Sequence, residues 1–496
     1  MTTASRTVTK GQSLCNNRIA GTVTRDTVLA SEFQCGKSPK HGKTTRLNSY
    51  LITYRYLWRI PDPFSARFSD LWLLRACRFG RRYAVVDRIH SQLGLGVRIQ
   101  PNHVSINVDE AIYTIYDHGS GLLKSPFYEA FVSIRRGIFT THDRADHTHK
   151  RKIISHTFSP RSASQFEPYV NDNIETFIQQ WDALAQQHGT SGARLNALHW
   201  FNYLAFDIID DLAFGAPFGM LKSDGDTAEM RPTPDSPAVM VPAIQVLNRP
   251  CFLPDPFLSH GLQAVDDLAG IAIAQVQARL EAPADTITTR SDLLQRLSEG
   301  RDDKGQPLSR EELTAEALIQ LIAGSDTVAN TLTAIMYYVA GHPEVVRKLR
   351  VELDVAIPPS SAVVVSSFDV ICGLPYLRNV IYEPLRTHST SGIGLPRQIP
   401  DESSGIWISR YFFPPGTVLI RWERVTARQK NAFIPFSHGS RACVGRNVAE
   451  MELKLILAEW VRRYDVTVAQ DGLEIHEGFL RKPVKLDIVL SKREIL

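Results

Sequence analysis

The chain has 496 residues, of which 43% are hydrophobic and 22% are charged. Such fractions are typical of a folded soluble or peripheral protein, and they exclude a disordered, collagen-like or polytopic membrane chain. Lysines and arginines number 56 against 52 acidic residues, so the net charge is only +4. This balance gives no support to a nucleic-acid partner, and none is expected.

Residues 1–48 are rich in Ser, Thr, Lys and Arg, and the first acidic residue is Asp26. This bias resembles a mitochondrial transit peptide, but a disordered leader or an incorrectly assigned first exon would have the same composition. We expect residues 1–48 to be a disordered leader and residues 49–496 to form the folded domain. No stretch of about 20 mostly apolar residues is present, so no anchor helix is visible in the sequence.

Cysteine usage indicates a reducing setting. A chain of this length needs no disulfide framework, and the spacing of its cysteines matches no zinc site. If one cysteine takes part in chemistry, it therefore acts alone. The six cysteines, none of them in a C-x-x-C pair, are Cys15, Cys35, Cys77, Cys251, Cys372 and Cys443.

Helical periodicity dominates from about residue 108 onward, and the strand signals are short. A hairpin is predicted over Gly96–Ile99 and Asn102–Ile106, and the tail again has a strand pattern at Phe479–Leu480 and Val484–Leu490. The fold class is therefore mainly α with small β-sheets. The clearest helices are predicted at Asn171–Leu184, Ala264–Leu280, Thr314–Val339 and Val448–Arg463.

The helix predicted at residues 314–339 contains a segment that breaks the local rules of helix formation. Ser309 and Glu312 form a capping-box signature before it, and Gly341 supplies a stop. Inside the helix, Gly324 costs about 1 kcal/mol relative to Ala, and the Asp and Thr that follow compete for backbone hydrogen bonds. Such a violation indicates either a functional site or a glycine at a helix crossing.

Residues 436–445 have the pattern F-x-x-G-x-R-x-C-x-G and are followed at once by helical periodicity. Cys443 thus precedes a helix, whose positive end favours thiolate over thiol. Gly439 can adopt backbone angles closed to other residues, Gly445 lets a flat group approach, and Arg441 offers a forked donor for a carboxylate. The loop suits a cysteinate ligand of haem iron with Arg441 at a propionate, whereas an isolated cysteine is more often a buried structural residue.

From Phe436 to Gly445 the loop resembles the haem-binding loop of the cytochrome P450 family of haem-thiolate monooxygenases. The resemblance implies haem b as the cofactor, with an axial thiolate from Cys443. It places Phe436, Gly439, Arg441 and Gly445 around that cofactor. It also implies the cytochrome P450 fold.

Two further motifs follow the family's pattern in the expected order. Glu383 and Arg386 resemble its E-x-x-R pair, whose i, i+3 spacing puts both charges on one helix face. The resemblance implies that they form a structural ion pair behind the haem. The segment with Gly324, Asp326 and Thr327 resembles the A-G-x-D-T motif of the family's long helix. The resemblance implies that Asp326 and Thr327 deliver protons during dioxygen cleavage. It also implies that Gly324 leaves room for oxygen beside the cofactor.

Two more arginines resemble family residues that bind haem propionates. Arg151 lies in a segment similar to W-x-x-x-R, with His147 in place of the usual Trp. Arg397, in an L-P-R segment, follows the E-x-x-R helix. For Arg151, a place in a solvated basic run with Lys150 and Lys152 is an equal alternative.

Longer stretches, at residues 125–137, 200–220 and 387–400, resemble the fungal benzoate 4-monooxygenases. This resemblance implies para-hydroxylation of benzoate or a related small aromatic acid, with O₂ and with electrons from NADPH relayed by a membrane-bound NADPH–cytochrome P450 reductase. It also implies a place on the cytosolic face of the endoplasmic reticulum membrane. The sequence does not assign the residue that pairs with the substrate carboxylate, although a buried carboxylate requires one.

Several departures from the family leave the completeness of the fold open. The chain looks short near Cys251 and after Ile420. Arg421 resembles the remaining end of a longer family segment and a third member of the E-x-x-R ion-pair cluster, while Pro384 removes a backbone donor from the E-x-x-R helix. One alternative is therefore an inactive or non-catalytic haem-binding relative with an incomplete fold, and another is a monooxygenase of a different hydrophobic substrate.

Overall fold

The computed structural model describes residues 54–222, 256–281, 292–302, 304–357, 365–422 and 432–494. The predicted leader at residues 1–48 and the shortened region near Cys251 lie outside these ranges. Helices dominate the described residues and the strands are short, which confirms the predicted fold class. Among the described helices, none has the length and apolarity needed to cross a membrane.

The described part of the chain contains thirteen α-helices. They are α1 Leu71–Arg78, α2 Arg82–Leu93, α3 Glu110–Tyr116, α4 Arg144–Thr157, α5 Pro160–His188, α6 Ala197–Phe214, α7 Pro256–Glu281, α8 Leu293–Glu299, α9 Arg310–Ala340, α10 Pro343–Ala356, α11 Phe368–Ile371, α12 Pro375–Thr387 and α13 Arg446–Arg463. All four predicted helices are present, as α5, α7, α9 and α13. Each begins before its predicted first residue; in α9 the reason is a polar first turn, which carries no hydrophobic period.

Twelve short strands accompany these helices in the described residues. They are β1 Gly96–Gln100, β2 His103–Ile106, β3 Leu123–Lys124, β4 Ala193–Asn196, β5 Arg397–Gln398, β6 Ile406–Ile408, β7 Tyr411–Phe413, β8 Val418–Arg421, β9 Tyr464–Val468, β10 Ile475–Glu477, β11 Arg481–Pro483 and β12 Asp487–Lys492. The predicted hairpin is confirmed as β1 and β2, at one edge of a five-stranded sheet of order β1-β2-β8-β5-β3. β4, β12 and β9 form a three-stranded sheet, and β6–β7 and β10–β11 are two-stranded.

The tail differs in part from its predicted strands. Phe479 and Leu480 lie in the turn between β10 and β11, where the Gly478 N–H donates to the Leu480 carbonyl at 3.0 Å. The second predicted strand, at residues 484–490, overlaps β12. Both turn residues are apolar because they pack inward, and a short apolar pair cannot be distinguished from a strand by its sequence.

α9 packs along α6 near the middle of the largest hydrophobic cluster. Its predicted capping box is confirmed, since the Ser309 hydroxyl accepts from the Glu312 N–H and the Glu312 carboxylate accepts from the Ser309 N–H. A Cβ on Gly324 would lie 2.7 Å from Cδ1 of Ile209 on α6. Gly324 thus lets the two helices cross closely, which was the alternative left open by the sequence. Its predicted role beside a cofactor stays a prediction.

One acid on α6 is buried at an energetic cost. Asp210 is fully buried, and within the described residues neither of its carboxylate oxygens has a hydrogen-bond partner. Burial, with Asp207 and Asp211 nearby, raises the pKa of Asp210 well above its ordinary value. Asp211, in contrast, accepts a hydrogen bond from the Asn173 amide at 3.0 Å. We infer that Asp210 destabilises the fold whenever it is charged.

Replacement of Asp210 by Ala should raise the free energy of unfolding by about 1–3 kcal/mol at pH 8. The folded-state pKa exceeds the unfolded value, so the charged form costs more as the pH rises, and the gain should be smaller at pH 5. Denaturant unfolding at the two pH values measures both. The matched change Asp211→Ala removes a paired carboxylate and should lower stability, and equal losses in the two variants would contradict the assignment.

Candidate active site around Cys443

The loop before α13 is shaped by a backbone hydrogen bond and two left-handed residues. The Cys443 N–H donates to the Phe436 carbonyl at 2.8 Å. Ser437 and Gly439 have φ angles of 63° and 71°. The loop thus presents Cys443 just before α13, with its side chain exposed to open space.

The two glycines of this loop have different surroundings. A Cβ on Gly439 would lie 2.0 Å from the carbonyl oxygen of Tyr116, so both contact and conformation require glycine there. A Cβ on Gly445 would meet no atom within 4 Å. The space beside Gly445 is therefore open, as the approach of a flat cofactor requires.

Burial and the donors of the loop act on Cys443 in opposite directions. Although the side chain is exposed, the protein atoms on its other sides keep water from part of it, and this desolvation raises the pKa of the thiol above its ordinary value. The N–H of Gly445, the charges of Arg151 and Arg446, and the N–H of Arg446 lower the pKa by less. The thiolate at Cys443 stays a prediction. A bound metal ion deprotonates a coordinating thiol through its own charge.

Two of the predicted propionate ligands are anchored beside the loop. Arg151 on α4 donates from Nη1 to the Ala442 carbonyl at 2.6 Å, next to Cys443. Arg441 donates from Nη1 to the Thr141 carbonyl at 2.9 Å. Arg151 is half-buried, so it belongs to the surroundings of the loop and not to a solvated basic run.

Arg397 lies opposite a lysine that the sequence analysis missed. The antiparallel pairing of β3 and β5 places Lys124 directly across from Arg397, and both side chains are buried. Arg397 donates to the Tyr128 hydroxyl at 2.9 Å, and the Lys124 ammonium donates to the Phe139 carbonyl. Like charges directly opposite one another destabilise a sheet. The sequence signal for Lys124 was weak, since it consists of one lysine after two leucines.

Lys124, Arg397 and Arg441 form a cation cluster, in which Glu316 attracts Lys124 and Asp146 attracts Arg441 without a hydrogen bond to either. Among the described residues, their side chains meet carbonyl oxygens and the Tyr128 hydroxyl, and no carboxylate. Burial, followed by repulsion within the cluster, lowers the pKa of Lys124 well below its ordinary value and that of Arg441 to about 10. Burial and the same cations lower the pKa of His147 to about 3. A ligand with carboxylates would relieve this repulsion, and the two propionates of haem fit that requirement.

On α9, Asp326 and Thr327 make different contacts. The Thr327 hydroxyl donates to the Ala323 carbonyl at 2.7 Å, within the helix. The Asp326 carboxylate accepts from the Lys482 ammonium at 2.7 Å. Ala323, one turn before Thr327, is exposed, so this face of α9 borders open space.

The predicted ion pair of the E-x-x-R helix is present, but Arg421 does not lie with it. Arg386 donates from Nε to the Glu383 carboxylate at 2.8 Å, and 60% of the Glu383 side chain is exposed. Arg421 instead lies buried in β8, 3.7 Å from an Asp109 carboxylate oxygen, and donates to the Ala432 carbonyl. The prediction that Arg421 joins the Glu383 cluster is wrong, because the pairing of β8 with β2 holds it in the sheet. An ion pair as exposed as that of Glu383 and Arg386 contributes little to the stability of the fold.

An aromatic cluster adjoins the cation cluster. Its rings come from the segment between β3 and α4 and from the β10–β11 turn, and its members are Phe127, Tyr128, Phe131, Phe139 and Phe479. The centroids of neighbouring rings lie 5.0 Å to 6.1 Å apart. The hydrogen bond from Arg397 to Tyr128 joins the two clusters. The sequence did not predict this cluster, because its rings come from segments far apart in the chain.

Phe436 lies on another side of the loop. It lines a cavity of about 530 Å³ together with Tyr382, His438 and Arg446. The Arg446 guanidinium lies 5.4 Å from the centre of the Phe436 ring. The role of Phe436 at the cofactor therefore stays a prediction.

The comparisons with known proteins agree with one another. The cytochrome P450 family profile matches residues 99–422 and 419–490. Benzoate 4-monooxygenase bphA of Aspergillus niger is 49% identical over 494 residues, with 90% of this chain and 95% of that protein covered. Cytochrome P450 monooxygenase ORF11 of Penicillium roqueforti is 28% identical, with 84% and 91% covered. The crystal structure of the cytochrome P450DA heme domain has a TM-score of 0.72 and 17% identity, with 88% of this chain and 98% of that chain covered.

The alignment with bphA also bears on the predicted shortening of this chain. It extends over 494 positions although it includes only 90% of the 496 residues, so it contains gaps in this chain. The relative therefore has segments without a counterpart here, as the predicted shortening requires.

Replacement of Lys124 by Met should have opposite effects on the apoprotein and on haem retention. Removal of one buried cation relieves repulsion and should raise the free energy of unfolding of the apoprotein by about 1–3 kcal/mol. The reconstituted protein should lose haem faster, since one partner of the propionates is gone. Denaturant unfolding and transfer of haem to excess apomyoglobin measure the two effects. The exposed Lys152→Met is the control and should change neither.

Proposed function

This chain belongs to the cytochrome P450 monooxygenase family, and from that premise we propose that it converts benzoate, or a closely related small aromatic acid, to the para-hydroxylated product. One atom of O₂ enters the ring C–H bond and the other leaves as water, with two electrons and two protons consumed. The identity of 49% to a benzoate 4-monooxygenase, over 90% of this chain, is the observation that carries the proposal.

The residues around Cys443 suit haem b. Cys443 would ligate the iron, and Arg441, Arg397 and Lys124 would neutralise the propionates, which removes the repulsion among these cations. Arg151 would hold the loop by its contact with the Ala442 carbonyl. When bound, a thiolate-ligated haem supplies the oxidising strength that attack on an unactivated aromatic ring needs.

Thr327 and Asp326 are the proposed proton donors. Thr327 keeps its hydroxyl on the open face of α9 by its bond to the Ala323 carbonyl. Asp326 is the adjacent acid, and general acid catalysis requires such a group within hydrogen-bond reach of the reacting atoms or of one intervening water. Gly324 would serve them indirectly, since its contact with α6 sets the position of the helix.

The aromatic cluster is the proposed binding site for the substrate ring. Its rings would exclude water and orient the para carbon by edge and face contacts. The carboxylate of the substrate needs a donor, and Lys124 and Arg397 lie at the border of this cluster but are assigned to the propionates.

The proposed electron donor is NADPH–cytochrome P450 reductase. A monooxygenase of this family needs a redox partner and O₂, and the resemblance to fungal enzymes favours a reductase that uses NADPH. Two alternatives to the whole proposal are an inactive relative, favoured by the gaps in the alignment with bphA, and a monooxygenase of another hydrophobic compound.

The decisive experiment uses the full chain reconstituted with haem. The reduced carbon monoxide complex should show the absorption band of thiolate ligation, and Cys443→Ala should abolish it while Cys372→Ala, an exposed cysteine elsewhere, keeps it. Added benzoate should then change the spin state, and 4-hydroxybenzoate should form with reductase and NADPH.

The outcomes separate the three possibilities. Absence of bound haem would support the inactive relative. A thiolate band without a response to benzoate would favour another substrate. A band that survives Cys443→Ala would contradict the proposed ligand.

We propose further that the chain contacts a membrane surface through residues 54–95. Half of the exposed large hydrophobic side chains of the described residues lie there, among them Phe64, Leu71 and Phe79. The same segment has eight arginines and three aspartates. The excess of positive charge in this segment is therefore larger than the net charge of the whole chain. Apolar side chains among arginines suit the interface of an anionic membrane, such as the cytosolic face of the endoplasmic reticulum.

The combined change Leu71→Ser and Phe79→Ser should weaken binding of the protein to vesicles. Both residues are exposed on α1 or at its end, so the fold should tolerate the change. Co-sedimentation with phosphatidylcholine vesicles, with and without phosphatidylserine, measures the binding. Val351→Ser with Val355→Ser, equally exposed on α10, is the control. Equal binding by both variants would disprove this surface.

A further inference from the structure

A mostly buried ion pair joins α9 to the hairpin formed by β10 and β11. The Lys482 Nζ lies 2.7 Å from a carboxylate oxygen of Asp326, and only 15% and 16% of the two side chains are exposed. Loss of Lys482 would remove a shielded counter-charge from the Asp326 carboxylate. Asp326 directly precedes Thr327, and these two residues are the proposed proton donors. Lys482 therefore acts on the acidic member of this pair.

The turn end of this hairpin is fixed on two sides. The Glu477 N–H donates to the Gly80 carbonyl at 2.9 Å, and the Glu477 carboxylate accepts from the Ala84 N–H at 3.0 Å. On the other strand, the Arg481 N–H donates to the Thr390 carbonyl at 2.8 Å. Because the Thr390 hydroxyl lies 3.0 Å from that of Thr331 on α9, the backbone next to Lys482 has a defined position relative to α9.

The turn of the hairpin reaches the aromatic cluster. Phe479 lies 5.0 Å from the ring centre of Phe131, 5.9 Å from that of Phe139 and 6.1 Å from that of Phe127. Three positions along the same hairpin separate Phe479 from Lys482. A ligand ring packed against Phe479 would therefore act on the anchored strand that carries the lysine.

We propose that Lys482 is a positioning residue that holds the Asp326 carboxylate, and that the hairpin links this contact to the aromatic cluster. The inference rests on the proposed function, since it assumes that Asp326 delivers protons. Lys482 contacts neither the substrate ring nor the cofactor in this scheme, and it acts through Asp326. Binding of the substrate beside Phe479 would adjust the position of the acid before the reaction starts.

The first test compares Lys482→Met with Lys482→Arg in the reconstituted enzyme. Lys482→Met should lower the product formed per NADPH several-fold and raise peroxide release, because Asp326 is no longer held. Lys482→Arg keeps the charge and should restore most of the coupling. The benzoate concentration that half-converts the spin state should change less than twofold in both, since neither variant alters the aromatic rings.

The matched control is Lys485→Met. Lys485 pairs with Asp487 in the same part of the chain, but 53% of its side chain is exposed. This variant should keep the coupling of the unmodified enzyme. Equal coupling in Lys482→Met and Lys485→Met would overturn the inference.

Double variants separate positioning from a general structural role. If Lys482 acts through Asp326, Lys482→Met should add no further loss of coupling to Asp326→Asn. Likewise, Phe479→Ala should lower coupling in the unmodified enzyme but not in Lys482→Met. Additive losses in both pairs would show that the hairpin only packs against the site.

A measurement without turnover tests the contact itself. The melting temperature of the apoprotein should fall in Lys482→Met and in Asp326→Asn, and the double variant should lose less than the sum of the two. Failure of the proposed function would appear as absence of benzoate hydroxylation in the unmodified enzyme. Failure of this inference would appear as additive losses of melting temperature or as unchanged coupling in Lys482→Met.

Discussion

The site depends on one electrostatic constraint, which is the proximity of two buried cations and one half-buried cation that have no hydrogen-bonded acid in the described residues. Lys124 and Arg397 face each other across β3 and β5, and Arg441 extends towards them from the Cys443 loop. Carbonyl dipoles and one tyrosine hydroxyl offset only part of this repulsion. Because a buried charge needs a counter-charge, the cluster suits the dianionic ligand that we propose for it. The five-stranded sheet, α4 and the Cys443 loop would therefore contact the same proposed ligand, in addition to packing on a hydrophobic core.

The features that the sequence predicted well are local ones. The Cys443 loop, the Glu383–Arg386 pair and the capping box of α9 each depend on residues a few positions apart, so their spacing alone describes them. Helical periods longer than three turns were equally clear. Lys124 and Lys482 could not be found in this way, since each gains its meaning from a residue more than a hundred positions away. No short pattern records such a contact.

The errors have the same origin. Arg421 was assigned to an ion pair because of its neighbours in the sequence, but strand pairing placed it in β8. Phe479 was assigned to a strand because it is apolar, whereas it turns the chain towards the aromatic cluster. In each case tertiary packing decided between structures that the local pattern allowed equally.

Helix geometry explains how one short segment of α9 can serve three purposes. Successive residues are rotated by about 100°, so Asp326 lies on nearly the opposite side of the helix from Gly324. The contact of Gly324 with Ile209 on α6 thus turns Asp326 towards β11, where Lys482 meets it. Thr327 lies one turn beyond Ala323 and shares its open face. A larger residue at position 324 would therefore shift not only the helix crossing but also the acid and the hydroxyl.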